Sequence, residues 1–141
     1  MNKHRKVIVD ADAIIAQADS NDKHHYTAKT IAESLVQMNV QVFYPATAIA
    51  ESNAYIQRVL NNTASAYGIA VILTEPHVHI AEVNQQTLKM AMKYFSPTTS
   101  KKNTLFDCIV AAVAEEYKAD AIFSFDSFYK KKGFKLASEL K

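Results

Sequence analysis

The chain has 141 residues, of which 49% are hydrophobic and 21% are charged, and its formal net charge at pH 7 is +2. This composition predicts one globular domain, residues 1–141, and argues against a disordered or low-complexity chain. A single cysteine excludes an internal disulfide. The small positive charge permits a nucleic-acid partner without arguing for one.

The start of the chain, MNKHRK, is basic, but the apolar run after it is soon interrupted by Asp10 and Asp12. That interruption argues against a signal peptide. No apolar stretch reaches the length needed to span a membrane. We therefore expect a cytoplasmic protein without a membrane anchor.

The first half of the chain alternates apolar runs with amphipathic segments. Val7-Ile8-Val9 is a continuous apolar run that ends at Asp10, which is typical of a buried parallel strand. A helix is expected from about Asp12, which stands where an N-cap would. The patterns further predict a helix over 24–38 with Ala28, Ile31, Ala32, Leu35 and Val36 on its inner face, a strand at 42–44, a helix over 47–60 and a weaker helix over 63–73.

The second half continues the alternation. Residues 77–81 alternate in polarity and predict a third strand. The following patterns predict a helix marked by Leu88, Ala91, Met92 and Phe95, a largely apolar central helix over 105–117, a strand over 121–125 and a candidate short fifth strand at 134–137. Strands and helices that alternate in this way predict a three-layer α/β/α sandwich around a mostly parallel sheet of four or five strands.

Four acidic residues are candidates for a ligand-binding site at the edge of the sheet where the strands end. Asp10 and Asp126 each follow an apolar strand, and open parallel sheets bind ligands beyond the carboxyl ends of their strands. Glu51 lies in the first turns of the helix after the second strand, which starts at the same edge. Asp107 lies in the first turn of a helix that leads back toward the sheet, so its placement depends on the fold itself.

Convergence of these four acids would require a cation. Two carboxylates about 4 Å apart repel by roughly 4 kcal/mol at an effective dielectric constant near 20. Mg²⁺ or Mn²⁺ suits a set of oxygen ligands better than Zn²⁺, which prefers nitrogen and sulfur. Such a centre activates water and neutralises charge on a phosphoryl group, so phosphodiester hydrolysis is the expected chemistry.

The same acids also have structural explanations, which the sequence leaves open. Thr104 and Asp107 have the spacing of a capping box, and Asp126 could cap a short helix over 127–131. Glu51 could be an ordinary exposed helical acid. Asp10 is the hardest to explain structurally, because a charge beside a buried strand needs a partner.

The segments VIVDADAII, PATAIAES, TLFDCIVAAVA and IFSFDSFYKKKGF resemble, in this order, the four acidic motifs of the PIN-domain family. Residues 22–28, DKHHYTA, also resemble a D-x-x-H-x-x-A stretch seen in that group. The likeness spans nearly the whole chain, whose length is similar to that of VapC-type toxins of bacterial toxin–antitoxin systems. It implies a ribonuclease dependent on Mg²⁺ or Mn²⁺, usually a homodimer, and in the toxin branch inhibited by a small antitoxin.

The resemblance assigns roles to individual positions. Asp10, Glu51, Asp107 and Asp126 match the acidic catalytic and metal-binding positions, and Ser124 matches a hydroxyl residue two positions before the fourth acid. Asp12 stands where the family often has Ser, Thr or Asn, so it adds a negative charge. Outside the acids, candidates for contact with RNA phosphates are Arg58, Lys101, Lys102, Lys130, Lys131 and Lys132, and the apolar segment 63–73 is a candidate dimer face.

Three other functions are each compatible with part of this pattern. Asp10-x-Asp12 also resembles haloacid-dehalogenase phosphatases, but Glu51 and Asp107 would then have no role. A phosphoacceptor receiver module needs an aspartate at the end of its third strand, and residues 77–84 contain none. A PIN-like fold that only binds RNA or a protein partner is the remaining alternative, against which the intact set of acids argues.

Overall fold

The computed structural model describes residues 4–141. Residues 1–3, which belong to the predicted domain and to its basic start, lie outside the described part. One sheet contains four parallel strands in the order β3-β2-β1-β4. The strands are β1 (Lys6–Val9), β2 (Gln41–Pro45), β3 (His79–Ala81) and β4 (Ala121–Phe123). The expected parallel sheet is therefore confirmed, with four strands.

Seven helices connect and cover these strands within the described residues. They are α1 (Ala11–Ala18), α2 (His25–Gln37), α3 (Ala46–Arg58), α4 (Thr63–Leu73), α5 (Gln85–Ala91), α6 (Leu105–Glu116) and α7 (Phe128–Lys131), followed by a 3₁₀ turn at Ala137–Glu139. No helix among residues 4–141 combines the length and the apolar character that crossing a bilayer requires.

The sheet lies between two apolar layers, as the alternation of side chains along β1 dictates. Val7 and Val9 belong to the core that includes buried residues of α1 and α2. Ile8, on the other face, belongs to the core that includes the buried stretch 108–114 of α6. This arrangement confirms the predicted α/β/α sandwich and the central position of α6.

Local sequence explains where several helices begin and end. Capping boxes begin α5 and α6, because Asn84 and Thr104 accept hydrogen bonds from the first turn of their helices. Asn39 follows α2 and Lys118 follows α6, both with positive φ, in the left-handed region where a chain commonly leaves a helix. Each of these turns leads directly into the next strand.

Three sequence-based expectations were wrong. Val36 is 79% exposed, because only one stripe of α2 meets the core and Val36 lies outside it. Leu88, Met92 and Phe95 are also exposed, because α5 turns Thr87 and Ala91 inward and ends at Ala91, before Met92 and Phe95. Residues 134–137 form no strand, because their pairing with the sheet is one isolated bridge between Leu136 and Ile122.

Candidate active site

Asp10 marks the point where β1 ends and α1 begins. Its carboxylate is buried, and its Oδ1 accepts a 2.7 Å hydrogen bond from the backbone amide of Ala11. Asp10 is therefore the N-cap of α1, and the expectation that Asp12 caps this helix was wrong. Only Asp10 lies between the end of the strand and the start of the helix, so Asp12 lies in the first turn of the helix instead.

The hydroxyl of Ser124 joins Asp12 to Asp10. Its Oγ lies 3.1 Å from Asp10 Oδ2 and 3.0 Å from Asp12 Oδ2. The backbone amide of Phe125 donates a further 2.8 Å hydrogen bond to Asp12 Oδ2. One hydroxyl carries one proton, so Ser124 can donate to only one of the two carboxylates at a time.

Asp12 is left partly unsatisfied by this arrangement. Its Oδ1 is buried and has no hydrogen-bond partner. A buried carboxylate oxygen without a partner is costly unless a proton or a cation compensates it. Burial, with a contribution from the charge of Asp126, accordingly raises the pKa of Asp12.

Asp107, whose position the sequence left open, lies at the same edge. The hydroxyl of Tyr129 is 2.8 Å from Asp10 Oδ2 and 3.4 Å from Asp107 Oδ1. On the other side, Asn103 Nδ2 is 2.7 Å from Asp126 Oδ2 and 3.4 Å from Asp107 Oδ2. Neutral donors therefore connect Asp10, Asp107 and Asp126 into one cluster.

Two of the structural explanations hold alongside this clustering. Thr104 N donates to Asp107 Oδ2 at 2.9 Å in the capping box of α6. Phe128 N donates to Asp126 Oδ1 at 2.9 Å where α7 begins. Because each cap occupies only part of a carboxylate's lone pairs, the caps orient these acids without preventing further interactions.

Glu51, in α3, completes the acidic set. Burial, followed by the negative charges of Asp107 and Asp12, raises the pKa of Glu51 from 4.5 to about 7. One helical turn earlier, Thr47 has a buried hydroxyl oxygen without a hydrogen-bond partner. Glu51 is therefore not an ordinary exposed helical acid, since it feels the charges of the cluster.

The cluster contains strong electrostatic repulsion. Burial raises the pKa of Asp10 well above its usual range, and the charges of Asp12 and Asp107 add to this effect. Burial is also the main cause that raises the pKa of Asp107. The two ion pairs found among residues 4–141 lie elsewhere, between Lys93 and Glu115 and between Lys130 and Glu139.

The donor set suits a hard divalent cation. Carboxylate oxygens, a buried oxygen without a partner and raised carboxyl pKa values are features that Mg²⁺ or Mn²⁺ would compensate. Across residues 4–141, however, no three Asp, Glu, His or Cys side chains form a ready group of metal ligands.

The predicted basic residues lie at three places, two of them close in sequence to acids of the cluster. Lys101 and Lys102 are exposed in the loop that carries Asn103, and 130–132 are exposed directly after the segment that carries Asp126. At the second of these places, Lys130 Nζ is 3.8 Å from Glu139, and Lys132 Nζ is 5.4 Å from the centre of the Phe128 ring. Arg58 is exposed at the end of α3, about two helical turns beyond Glu51.

Asn103 and Tyr129 were missed by the sequence analysis. Asn103 sits in an irregular loop, where no periodicity indicates which way a side chain points. Tyr129 carried a weak signal, because a tyrosine rather than a phenylalanine in an apolar position needs a partner for its hydroxyl. That partner could not be identified without the fold.

Comparison with known proteins gives a matching family and similar solved structures. The profile of the PIN domain family matches residues 7–135. The crystal structure of VapC20 from Mycobacterium tuberculosis, described as a sarcin–ricin loop cleaving toxin, is similar with a TM-score of 0.77 and 19% identity over 91% of this chain and 95% of that chain. The crystal structure of FitAcB from Neisseria gonorrhoeae is similar with a TM-score of 0.66 and 14% identity over 95% of this chain and 99% of that chain. No curated protein sequence matches this chain.

Proposed function

This chain belongs to the PIN domain family, and from that premise we propose that it is a metal-dependent endoribonuclease, the toxin of a toxin–antitoxin pair. The observation that carries the proposal is the clustering of Asp10, Asp107 and Asp126 through shared hydrogen-bond donors at one edge of the sheet. The family membership removes the haloacid-dehalogenase and receiver interpretations, since those are different families.

Asp10, Glu51, Asp107 and Asp126 are the proposed ligands of Mg²⁺ or Mn²⁺. A bound cation of this kind would activate water and stabilise negative charge on a phosphodiester. Asp12 adds negative charge to the cluster. The Ser124 hydroxyl lies within hydrogen-bond distance of both Asp12 and Asp10 and so keeps them close together. The buried oxygen of Asp12 that lacks a partner supports a cation in this region.

Glu51 is also suited to accept a proton. The pKa of about 7 holds for the metal-free protein, and a bound cation would lower it, so Glu51 would be ionised in the loaded site and able to accept a hydrogen bond or a proton from water. Its carboxylate would take the proton from the attacking water, while Asp10 keeps its hydrogen bond from Tyr129. Metal binding and proton transfer are therefore the two roles to separate experimentally.

RNA would be held by the exposed lysines on either side of the cluster. Lys101 and Lys102 precede Asn103, and 130–132 follow Asp126 closely in sequence. Such side chains neutralise phosphates without reading the bases. Specificity for a particular RNA would have to come from other contacts or from the shape of the RNA.

The toxin assignment rests on the resemblance to VapC-type proteins and on the likeness to VapC20, which is described as a toxin. In that setting a small antitoxin would inhibit the enzyme. We also propose α4 as the contact between two copies of this chain, because Tyr67, Val71 and Ile72 are exposed there although they are apolar or aromatic.

The test of this function compares substrate classes. Purified protein, free of any partner, is incubated with total cellular RNA, with single-stranded DNA and with p-nitrophenyl phosphate in the presence of MgCl₂ or MnCl₂. Discrete RNA fragments are expected, with little turnover of the phosphate monoester. Binding of RNA without cleavage by folded, metal-loaded protein would instead support the non-catalytic PIN-like module.

A further inference from the structure

Tyr129 is the least exposed aromatic residue near the acids. It is fully buried, and its ring belongs to the apolar core that contains Ile8, Ile122 and the inner residues of α6. Its hydroxyl is the polar tip of this side chain, and it points into the carboxylate cluster. The residue thus connects the core of the domain to the site.

The hydroxyl meets two carboxylates that come from different parts of the chain. Asp10 follows β1 and Asp107 lies in the first turn of α6, and their oxygens are 2.8 Å and 3.4 Å from the Tyr129 hydroxyl. The shorter distance identifies Asp10 as the acceptor of the single proton. Asp107 Oδ1 lies beside the same hydroxyl without taking its proton.

A buried phenol needs only one acceptor to be satisfied, so packing alone does not explain this position between two acids. A carboxylate offers about four lone-pair sites. Asp10 accepts from Tyr129 at Oδ2 and from Ala11 at Oδ1, and even when Ser124 donates to Asp10 rather than to Asp12, one lone-pair site remains for a cation. Asp107 likewise receives its capping bond at Oδ2, which leaves Oδ1 facing Tyr129.

We propose that Tyr129 is a positioning residue that holds Asp10 and Asp107 at the correct separation for a divalent cation. This inference rests on the proposed function, because it assumes that these two acids bind the cation. Hydrogen-bonded neighbours of metal ligands typically contribute 10- to 100-fold to metal affinity or activity. The rigid core around the ring supplies the stiffness that such positioning needs.

The test measures Mn²⁺ affinity directly. Mn²⁺ is titrated into wild-type protein and into Tyr129→Phe, and the free ion is followed by electron paramagnetic resonance at a temperature well below unfolding. Tyr94→Phe is the matched control, because it also removes a hydrogen bond between a phenol and a carboxylate, that of Glu115, outside the cluster. The Kd for Mn²⁺ should rise about 10- to 100-fold in Tyr129→Phe and stay unchanged in Tyr94→Phe.

RNA cleavage supplies a second readout. The Mn²⁺ concentration that gives half-maximal cleavage should rise by the same factor in Tyr129→Phe, while KM for RNA stays at the wild-type value. Saturating Mn²⁺ should then restore most of kcat. A purely structural role would lower the melting temperature without shifting this concentration.

The outcomes separate this inference from the proposed function. Equal Mn²⁺ affinity in wild type and Tyr129→Phe overturns the positioning role, while metal-dependent cleavage by the wild type leaves the nuclease function standing. A wild-type protein that binds no Mn²⁺ overturns both. If the circular dichroism of Tyr129→Phe shows that it does not fold, Tyr129→Met replaces it, because methionine fills irregular core space without a hydroxyl.

Discussion

The side-chain amide of Asn103 donates a 2.7 Å hydrogen bond to Oδ2 of Asp126. This bond joins the loop before α6 to the segment that follows β4. Since the same amide nitrogen lies 3.4 Å from Asp107 Oδ2, the loop holds two acids that are 19 positions apart in the chain. The loop is therefore part of the site rather than a mere connection.

Asn103→Ala should impair the site more than the fold. Asn103 is only partly buried, so we expect little change in melting temperature, whereas losing the donor to Asp126 should weaken Mn²⁺ binding about tenfold. Parallel thermal melts in EDTA and Mn²⁺ titrations measure the two effects. A large loss of stability with unchanged Mn²⁺ affinity would show that Asn103 serves the fold instead.

The free energy of unfolding should depend on pH in part through the titration of Glu51. Its pKa is raised from 4.5 to about 7, so the folded protein retains this proton where the unfolded chain has released it. The stabilising effect is therefore complete below about pH 4.5 and is lost as the pH rises to about 7. In EDTA, the free energy of unfolding should fall across this window.

Glu51→Gln should flatten that decline, because glutamine does not titrate. Some decline should remain, since the pKa values of Asp10, Asp12 and Asp107 are raised in the same direction. Urea unfolding at a series of pH values, with EDTA present, makes the measurement. If the free energy of unfolding falls equally steeply with pH in wild type and Glu51→Gln, the pKa of Glu51 is not raised.

Asp12→Asn should move stability and metal binding in opposite directions. Removing a buried charge with an unpartnered oxygen should stabilise the metal-free protein by about 1 kcal/mol, roughly 3–5 °C in Tm for a domain of this size. Loss of the carboxylate should weaken Mn²⁺ binding. Melting curves with EDTA and with excess MnCl₂ test both effects, and a lower Tm in EDTA would refute the argument from burial.

Lys101 and Lys102 should contribute to RNA affinity through phosphate contacts. In an Asp10→Asn background, which keeps the RNA intact, replacing both lysines by alanine should reduce the slope of log K against log salt concentration by about 1.4. Lys23, exposed in the turn before α2, and Lys29, exposed within α2, provide a control pair of equal charge. Equal salt slopes for the two double variants would show that the loop with Lys101 and Lys102 is not part of the RNA-binding surface.

The α4 surface should hold two copies of the chain together. Ile72 is 61% exposed there, and Ile72→Asp should convert a dimer into a monomer in sedimentation velocity experiments because a charge is costly in an apolar interface. Val36→Asp is the control, since Val36 is even more exposed but lies on α2. A wild-type monomer at high concentration would refute the dimer.

Much of the fold was predictable because its signals are local. The continuous apolar run of β1 and the stripe of Ala28, Ile31 and Leu35 in α2 follow from periodicity, and both were found. The inner face of α5 was not predictable in the same way. Its capping box and the burial of Thr87 override the hydrophobic pattern in which Leu88 and Met92 would be inside.

The residues of the site were likewise predictable only where local sequence patterns place them. Asp10 and Asp126 could be assigned to one edge from the sequence, because strand ends in a parallel sheet share an edge. Asp107, Asn103 and Tyr129 meet them only through the packing of α6 and α7, which no local pattern specifies. Long-range contacts of side chains were therefore the part that sequence reasoning could not supply.

Metal-restored cleavage of RNA tests most directly whether the acidic cluster is a metal-dependent nuclease site. Protein stripped with EDTA is given Mg²⁺ or Mn²⁺, and the fragments of total cellular RNA are compared for wild type, Asp10→Asn and Asp107→Asn. A metal-dependent nuclease that uses these acids should give discrete fragments from the wild type only after the metal is returned, and none from either variant. Cleavage that persists in EDTA, or that both variants perform at the wild-type rate, would contradict it.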